Sequence, residues 1–394
     1  TNTFELRDPA NTLVAATVTY DSATKTATLD PTPTLTAATT YTATIKGGAT
    51  DPRVKDVAGN ALAANYTWSF TTGAFPLGQW SAPFNLGLVA VNMVLMRTGR
   101  VLMYSGQDIG GTSASVWDPA TGTVTPVPNN QTNIFCSGHS ALADGRILVV
   151  GGHDTANSIL GSADANIFDP ATQLWTSLPK MAYRRWYPTA TTLGDGRVLV
   201  TSGATTCFTC IADVPEIYDP VTNSWTQLTA ASLAVPYYPF MFLLPDGKVL
   251  DAGANEQSSK TWTFDVSAQS WTTVDPVVVD GHSAAMYRLG KVIKSGTATD
   301  SGSSNVPAAA TAYVLDMNQP SPAWRQIASM AFPRAYHNTT LLPDGNVLVT
   351  GGERRTDGAD TSQAVYEAEL WSPLTETWQT MAPMQVPRLY HSTA

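Results

Sequence analysis

A cysteine and several tyrosines share one position of a repeating pattern, two histidines stand one step further on, and together those side chains could hold a metal. Gly99, Gly145, Gly196, Gly247, Gly290 and Gly345 each close a turn behind an apolar strand, as in Ala141-Leu142-Ala143-Asp144-Gly145-Arg146-Ile147-Leu148-Val149. Nine residues before each glycine stand Ala90, Cys136, Tyr187, Tyr238, Gly281 and Tyr336. The pair Tyr336-His337 returns as Tyr390-His391, which puts Tyr390 in the same phase and both histidines one step further on. Taken singly, each residue has a plainer reading. A lone cysteine is a small buried hydrophobe. A tyrosine at a strand start, such as Tyr238 or Tyr336, caps a core through its hydroxyl. His139, His153 and His282 read as ordinary strand or loop histidines. The shared phase sets Cys136, Tyr187 and Tyr390 at one level with His391 one step further on, and makes Tyr238 and Tyr336 candidates for the substrate pocket or for stacking on the ring.

The elements that must position them follow from the same register. The unit is an apolar strand, a glycine turn, a Val/Leu strand ending near Gly-Gly, a variable loop, a strand ending Asp-Pro, then Trp-Thr. Asp169-Pro170 with Trp175-Thr176 and Asp219-Pro220 with Trp225-Thr226 are two instances. The turn glycines are spaced 46, 51, 51, 43 and 55 residues apart. A period near 50 with four strands and a Gly/Trp signature predicts a kelch-type β-propeller. The count is six blades, with Tyr390-His391-Ser392-Thr393-Ala394 opening a seventh. In a propeller the first strand of each blade lines the axis, so residues of equal phase form a ring at one mouth of the channel. Ligands converge at such pseudo-symmetry axes.

Residues 1–73 differ from the 74–394 array. They are rich in Thr and Ala, and alternate with period two over Thr3–Arg7, Ala16–Tyr20, Thr26–Leu29, Tyr41–Ile45 and Tyr66–Thr72. Five short strands suit a partial immunoglobulin-like sandwich, which normally has about seven. The segment resembles bacterial Ig-like domains that end in a Trp-Ser-Phe-Thr-Thr strand, here Trp68–Thr72. It reads as a spacer in preference to a module that binds a glycan or wall surface. The fold class expected for the whole chain is therefore all-β.

Of the 394 residues only 13% are charged, about half the usual share, and the net charge is −9. That balance argues against nucleic acid or an anionic membrane as partner. No run approaches the roughly 18 apolar residues of a membrane helix. Cys207 and Cys210 lie three apart with no helix after them, which fits a small disulfide or a free pair.

Asn133-Ile134-Phe135-Cys136-Ser137-Gly138, Arg185-Trp186-Tyr187-Pro188 and Val386-Pro387-Arg388-Leu389-Tyr390-His391-Ser392 resemble the galactose oxidase and glyoxal oxidase family of radical copper oxidases. The likeness covers about 320 residues. It implies a copper enzyme that oxidises a small alcohol, aldehyde or carbohydrate with O2 and releases H2O2. Cys136 would be joined to the Tyr187 ring by a thioether bond, making a protein-derived radical cofactor. Tyr187 and His391 would be equatorial ligands, and Tyr390 the axial ligand and base. Mixed N and O donors suit Cu(II). The resemblance also implies a secreted or cell-surface bacterial protein, in which Cys207 and Cys210 form a disulfide.

Departures from the family pattern shape three expectations. The tryptophan that covers the cross-linked tyrosine is missing from the loop Ala204-Thr205-Thr206-Cys207-Phe208, so Trp186 or Phe208 is expected to cover it. The arginine that grips galactose is missing from Tyr237-Tyr238-Pro239-Phe240, so a small aldehyde or primary alcohol is the expected substrate. Family members carry a second histidine ligand on a C-terminal domain, so this chain reads as a fragment in which Tyr390 and His391 are displaced and copper binds weakly. His337 is the internal substitute. The alternative is a catalytically silent propeller that binds glycan.

Overall fold

A computed structural model describes residues 3–33, 35–36, 38–72, 78–105, 113–154, 159–298 and 305–394. The chain divides into two compact units, Thr1–Gln79 and Trp80–Ala394. The boundary expected between residues 73 and 74 falls outside the described residues.

The first unit holds β1 (Phe4–Arg7), β2 (Ala16–Asp21), β3 (Thr26–Pro31), β4 (Thr40–Ile45) and β5 (Tyr66–Thr71). The strands β1, β4 and β5 form one sheet, and β2 and β3 form a hairpin. The hairpin turns at Asp21, whose Oδ1 accepts from the Ala23 amide at 2.8 Å, an Asx turn. Leu6, Tyr41 and Ala43 are its buried core. Alternation explains the outer face. Hydroxyls of Thr40, Thr42 and Thr44 meet those of Thr71, Ser69 and Thr67 across the strands.

The second unit contains six four-stranded antiparallel sheets among the described residues. Their first strands are Asn92–Leu95, Gly138–Ala141, Thr189–Thr192, Pro239–Leu243, Ser283–Arg288 and Ala335–Leu341. The first strands of adjacent sheets pack together, including the pairs at Gly138–Ala141 with Thr189–Thr192 and Ser283–Arg288 with Ala335–Leu341. Four of the six second strands, Val101–Tyr104, Ile147–Val150, Val198–Thr201 and Val249–Ala254, are buried at every position. A strand covered on both faces has no reason to alternate, hence the Val/Leu runs. The six turn glycines all have φ between +71° and +88°, the left-handed region their hairpins require.

Two devices lock the sheets together. The indole N–H of Trp175, Trp225, Trp271 and Trp378, each on an outermost strand, donates to the carbonyl of Val127, Pro179, Ala231 and Ala328 in the preceding connection. The second device is a buried ion pair. Arg185 donates to Glu216 at 2.9 Å, to Ser202 O at 2.7 Å and to Val214 O at 2.6 Å. Arg334 repeats this with Glu369 at 2.9 Å and with the carbonyls of Gly351 and Glu367. All four charged side chains are fully buried. Each arginine precedes a phase tyrosine, Tyr187 or Tyr336, by two residues.

The expected seventh blade shows no strand. Residues 384–394 run as bends and turns. Their backbone groups are engaged elsewhere: Arg388 O accepts from Gly352 N, and Leu389 O from Ser392 N. Ser392 O also accepts from Asn338 Nδ2 at 3.1 Å, and Thr393 Oγ1 donates to Ala90 O at 3.1 Å. The tail thus bridges the last sheet and the first.

Candidate active site

The phase position is a place of unusual backbone. Cys136, Tyr187, Tyr238 and Tyr336 have φ of 56°, 64°, 46° and 57°, and Gly281 has 159°. Non-glycine residues seldom adopt this conformation, which costs on the order of 1 kcal/mol or more each and concentrates at functional sites. Backbone bonds hold the ring: Tyr187 N donates to Cys136 O at 2.9 Å, and Tyr238 N to Tyr187 O at 3.0 Å. Gly138 permits the approach of the next strand, since a Cβ there would lie 2.6 Å from Pro188 O. At the tail the pattern shifts by one residue. Arg388 O accepts as Arg334 O does, which keeps Tyr390 in phase, yet the positive φ (67°) falls on His391.

Cys136, Tyr187, Tyr238, Tyr336, Tyr390, His337 and His391 line one cavity of about 210 Å3. Cys136 is wholly buried and packs in one cluster with Tyr187. The Tyr187 ring is sandwiched. Trp186 stacks on it at a centroid distance of 3.8 Å and 16°, and Tyr238 stacks at 4.6 Å and 22°. Phe208 sits edge-on to Trp186 at 5.4 Å and is largely exposed. The indole, supplied by the residue before Tyr187, is therefore the cover. It is held by paired backbone bonds between Trp186 and Ala204. The loop beyond Ala204 is closed by a Cys207–Cys210 disulfide and by Thr205 N donating to Cys210 O at 2.7 Å.

Tyr390 and His391 are not displaced as expected: both line the cavity, and the hydroxyls of Tyr187 and Tyr390 are in direct short contact. Burial pushes both phenols well above the ordinary range. Tyr187 is buried and Tyr390 is 40% exposed, and two neutral phenols in such close contact ionise together only beside a cation. Burial also pushes the Cys136 thiol up. His391 stacks on Tyr390 at 3.8 Å, and burial lowers its pKa to about 4, so the imidazole is neutral near pH 7. Its Nε2 is buried without a hydrogen-bond partner. Among the described residues no three His, Cys, Asp or Glu side chains converge as a metal site. A metal here must rest on the phenols as well as the imidazole, and Tyr187, Tyr390 and His391 offer that donor set.

Some of the site is absent from the motifs. His282 lines the cavity, 5.2 Å from the Tyr336 ring and 5.8 Å from the His337 ring, and is no ordinary loop histidine. His337 Nε2 is 3.0 Å from Ser295 Oγ, which leaves Nδ1 without a partner. Asn255 and Glu256 also line the cavity. By contrast, His139 bonds to the Tyr104 hydroxyl at 3.0 Å, and His153 lies against Phe135. Tyr238 and Tyr336 do have the backbone acceptors expected of capping tyrosines, Ser137 O at 3.3 Å and Thr356 O at 3.4 Å.

Residues 1–72 match the family model described as a bacterial Ig-like domain, and residues 136–182 match the kelch motif. Galactose oxidase of Gibberella zeae is 28% identical over 359 residues, covering 82% of this chain and 51% of that protein. The chain is thus similar in sequence to galactose oxidase over most of its length. An aldehyde oxidase GLOX of Vitis pseudoreticulata is 25% identical over 292 residues, covering 67% of this chain and 54% of that protein. Among solved structures, a fungal alcohol oxidase of the AA5 family in complex with copper superposes with a TM-score of 0.69 at 25% identity, covering 80% of this chain and 70% of that one. The chain spans about half the length of the curated relatives it matches. The chain has an all-β fold, a kelch-type propeller after an N-terminal Ig-like domain. No helix among its described residues is long and apolar enough to cross a membrane.

Proposed function

We propose that this protein is a copper-dependent oxidase that converts a small primary alcohol or aldehyde, with O2, to the next oxidation state and H2O2. The contact of the Tyr187 and Tyr390 hydroxyls beside the unpartnered Nε2 of His391 carries the reading. These three residues would hold the copper, with His337 in the same cavity. Copper, when bound, supplies one-electron redox change and the reduction of O2. Tyr390 Oη takes the proton of the substrate hydroxyl. Tyr187 Oη, in its oxidised phenoxyl form, takes the hydrogen atom from the adjacent carbon. An alcohol, or an aldehyde as its hydrate, thus loses two protons and two electrons, one electron with the hydrogen atom to the Tyr187 phenoxyl and one that a bound copper would take, and O2 leaves with them as peroxide. Cys136 bonded to the Tyr187 ring would lower its oxidation potential. The Trp186 and Tyr238 faces exclude water from an oxidised ring. Tyr237-Tyr238-Pro239-Phe240 supplies no arginine to grip a hexose. A disulfide and the low charge suit a secreted or cell-surface bacterial protein. The Ig-like unit acts as a spacer.

The test is peroxide release. Copper-loaded protein is expected to release H2O2 from small aldehydes or primary alcohols in air, and metal-stripped protein to release none. Equal release with and without copper, or none from either, would overturn the reading.

A further inference from the structure

Two polar side chains on the cavity wall have no part in the proposed chemistry. Asn255 and His282 both line the tyrosine cavity. Asn255 follows the buried strand Val249–Ala254, and His282 precedes the first strand of the next sheet, Ser283–Arg288. The Asn255 backbone lies within hydrogen-bonding reach of the His282 ring, so the two residues share one part of the wall. Asn255 Oδ1 and His282 Nδ1 are each buried without a hydrogen-bond partner, and His282 as a whole is only 8% exposed. Such atoms are few in a native protein, and leaving them unpaired is costly. His337 Nδ1 is unpartnered as well, but it faces backbone, since a Cβ on Gly296 would lie 3.1 Å from it. The His282 ring is 5.2 Å from the Tyr336 ring, which is 5.1 Å from the Tyr390 ring. This part of the wall therefore stands one ring away from the phenol contact, in a cavity of about 210 Å3 that one small molecule can span. The atoms decide which group they take. Asn255 Oδ1 only accepts. Burial lowers the His282 pKa to about 4, so near pH 7 its ring is neutral, with one donor and one acceptor nitrogen. A hydroxyl both donates and accepts, so it complements both residues. A hydrogen or a fluorine in its place donates nothing and leaves Asn255 Oδ1 unpaired. A site that hydrogen-bonds a substrate hydroxyl rejects the analogue lacking it far more strongly than an apolar pocket rejects a missing methylene.

We propose that Asn255 and His282 form a subsite for a second hydroxyl group of the substrate, so that the preferred substrates are small polyols, primary alcohols with a further hydroxyl on a nearby carbon. This rests on the oxidase reading for turnover, though not for binding. Ethylene glycol, 2-fluoroethanol and ethanol share the reacting CH2OH group, and fluorine withdraws electrons as a hydroxyl does without offering a proton. Two quantities are read for each: kcat/KM for peroxide with copper-loaded protein, and binding to the metal-free protein by saturation-transfer NMR. Ethylene glycol is expected to exceed the other two about tenfold or more in kcat/KM, and to give the strongest transfer. Asn255→Leu and His282→Phe are each expected to lower the ethylene glycol-to-2-fluoroethanol ratio about tenfold. A wild type that takes 2-fluoroethanol as readily as ethylene glycol overturns the proposal, and so does an unchanged ratio in either variant. Preferential binding of ethylene glycol with no peroxide from any of the three would sink the oxidase reading and leave the subsite standing.

Discussion

Tyr187→Phe is expected to reduce peroxide production by copper-loaded protein at least about 10^3-fold, to background. The substitution removes one oxygen atom from a ring whose other contacts survive. The stacking on Trp186 and Tyr238 uses the ring faces, and the backbone bonds to Cys136 O and from Tyr238 N do not involve the hydroxyl. The stability cost should stay near that of one hydrogen bond, about 1 kcal/mol. Lost turnover in a protein that melts almost as before is therefore the expected pair of results. A variant that keeps a tenth or more of the activity would remove Tyr187 from the chemistry.

The second large effect is on folding. Glu216→Ala is expected to destabilise the propeller by about 3–5 kcal/mol, because it strands the fully buried Arg185. It also removes the acceptor for the Ala182 amide, bonded at 2.7 Å. Arg185, Trp186 and Tyr187 are consecutive, so freeing the guanidinium should loosen the indole over the ring. Replacing both partners with apolar residues, Arg185→Met with Glu216→Leu, should recover much of the stability. Urea unfolding midpoints of the two variants decide the matter. A loss below about 1 kcal/mol for Glu216→Ala would place this pair with ordinary surface bridges.

The ring of Cys136, Tyr187, Tyr238, Tyr336 and Tyr390 was legible because a propeller turns equal phase into equal height, and glycine turns mark the phase. The four-strand unit was legible for the same reason. Four features were not. Glu216 and Glu369 lie in third strands, 31 and 35 residues beyond their arginines, so no local spacing reveals the pairs. Glu256 and His282 reach the cavity from the residues just after Ala254 and just before Ser283, where the motif leaves residue type open. The tail reads as a strand by its likeness to Tyr336-His337, yet its hydrogen bonds go to Gly352, Asn338 and Ala90 and build no ladder. The choice of Trp186 over Phe208 depended on which side chain stacks, and two aromatic residues in sequence do not say which.

On the proposed reading, Cys136 and Tyr187 form one redox unit at a copper site. Peptide mass mapping after exposure to Cu(II) and O2 tests it most directly. Forming the thioether breaks the S–H bond and one ring C–H bond, so the expected product is a single linked species that contains both peptides and is lighter by two hydrogens. Separate, unmodified Cys136 and Tyr187 peptides from copper-loaded, oxygen-exposed protein would contradict it.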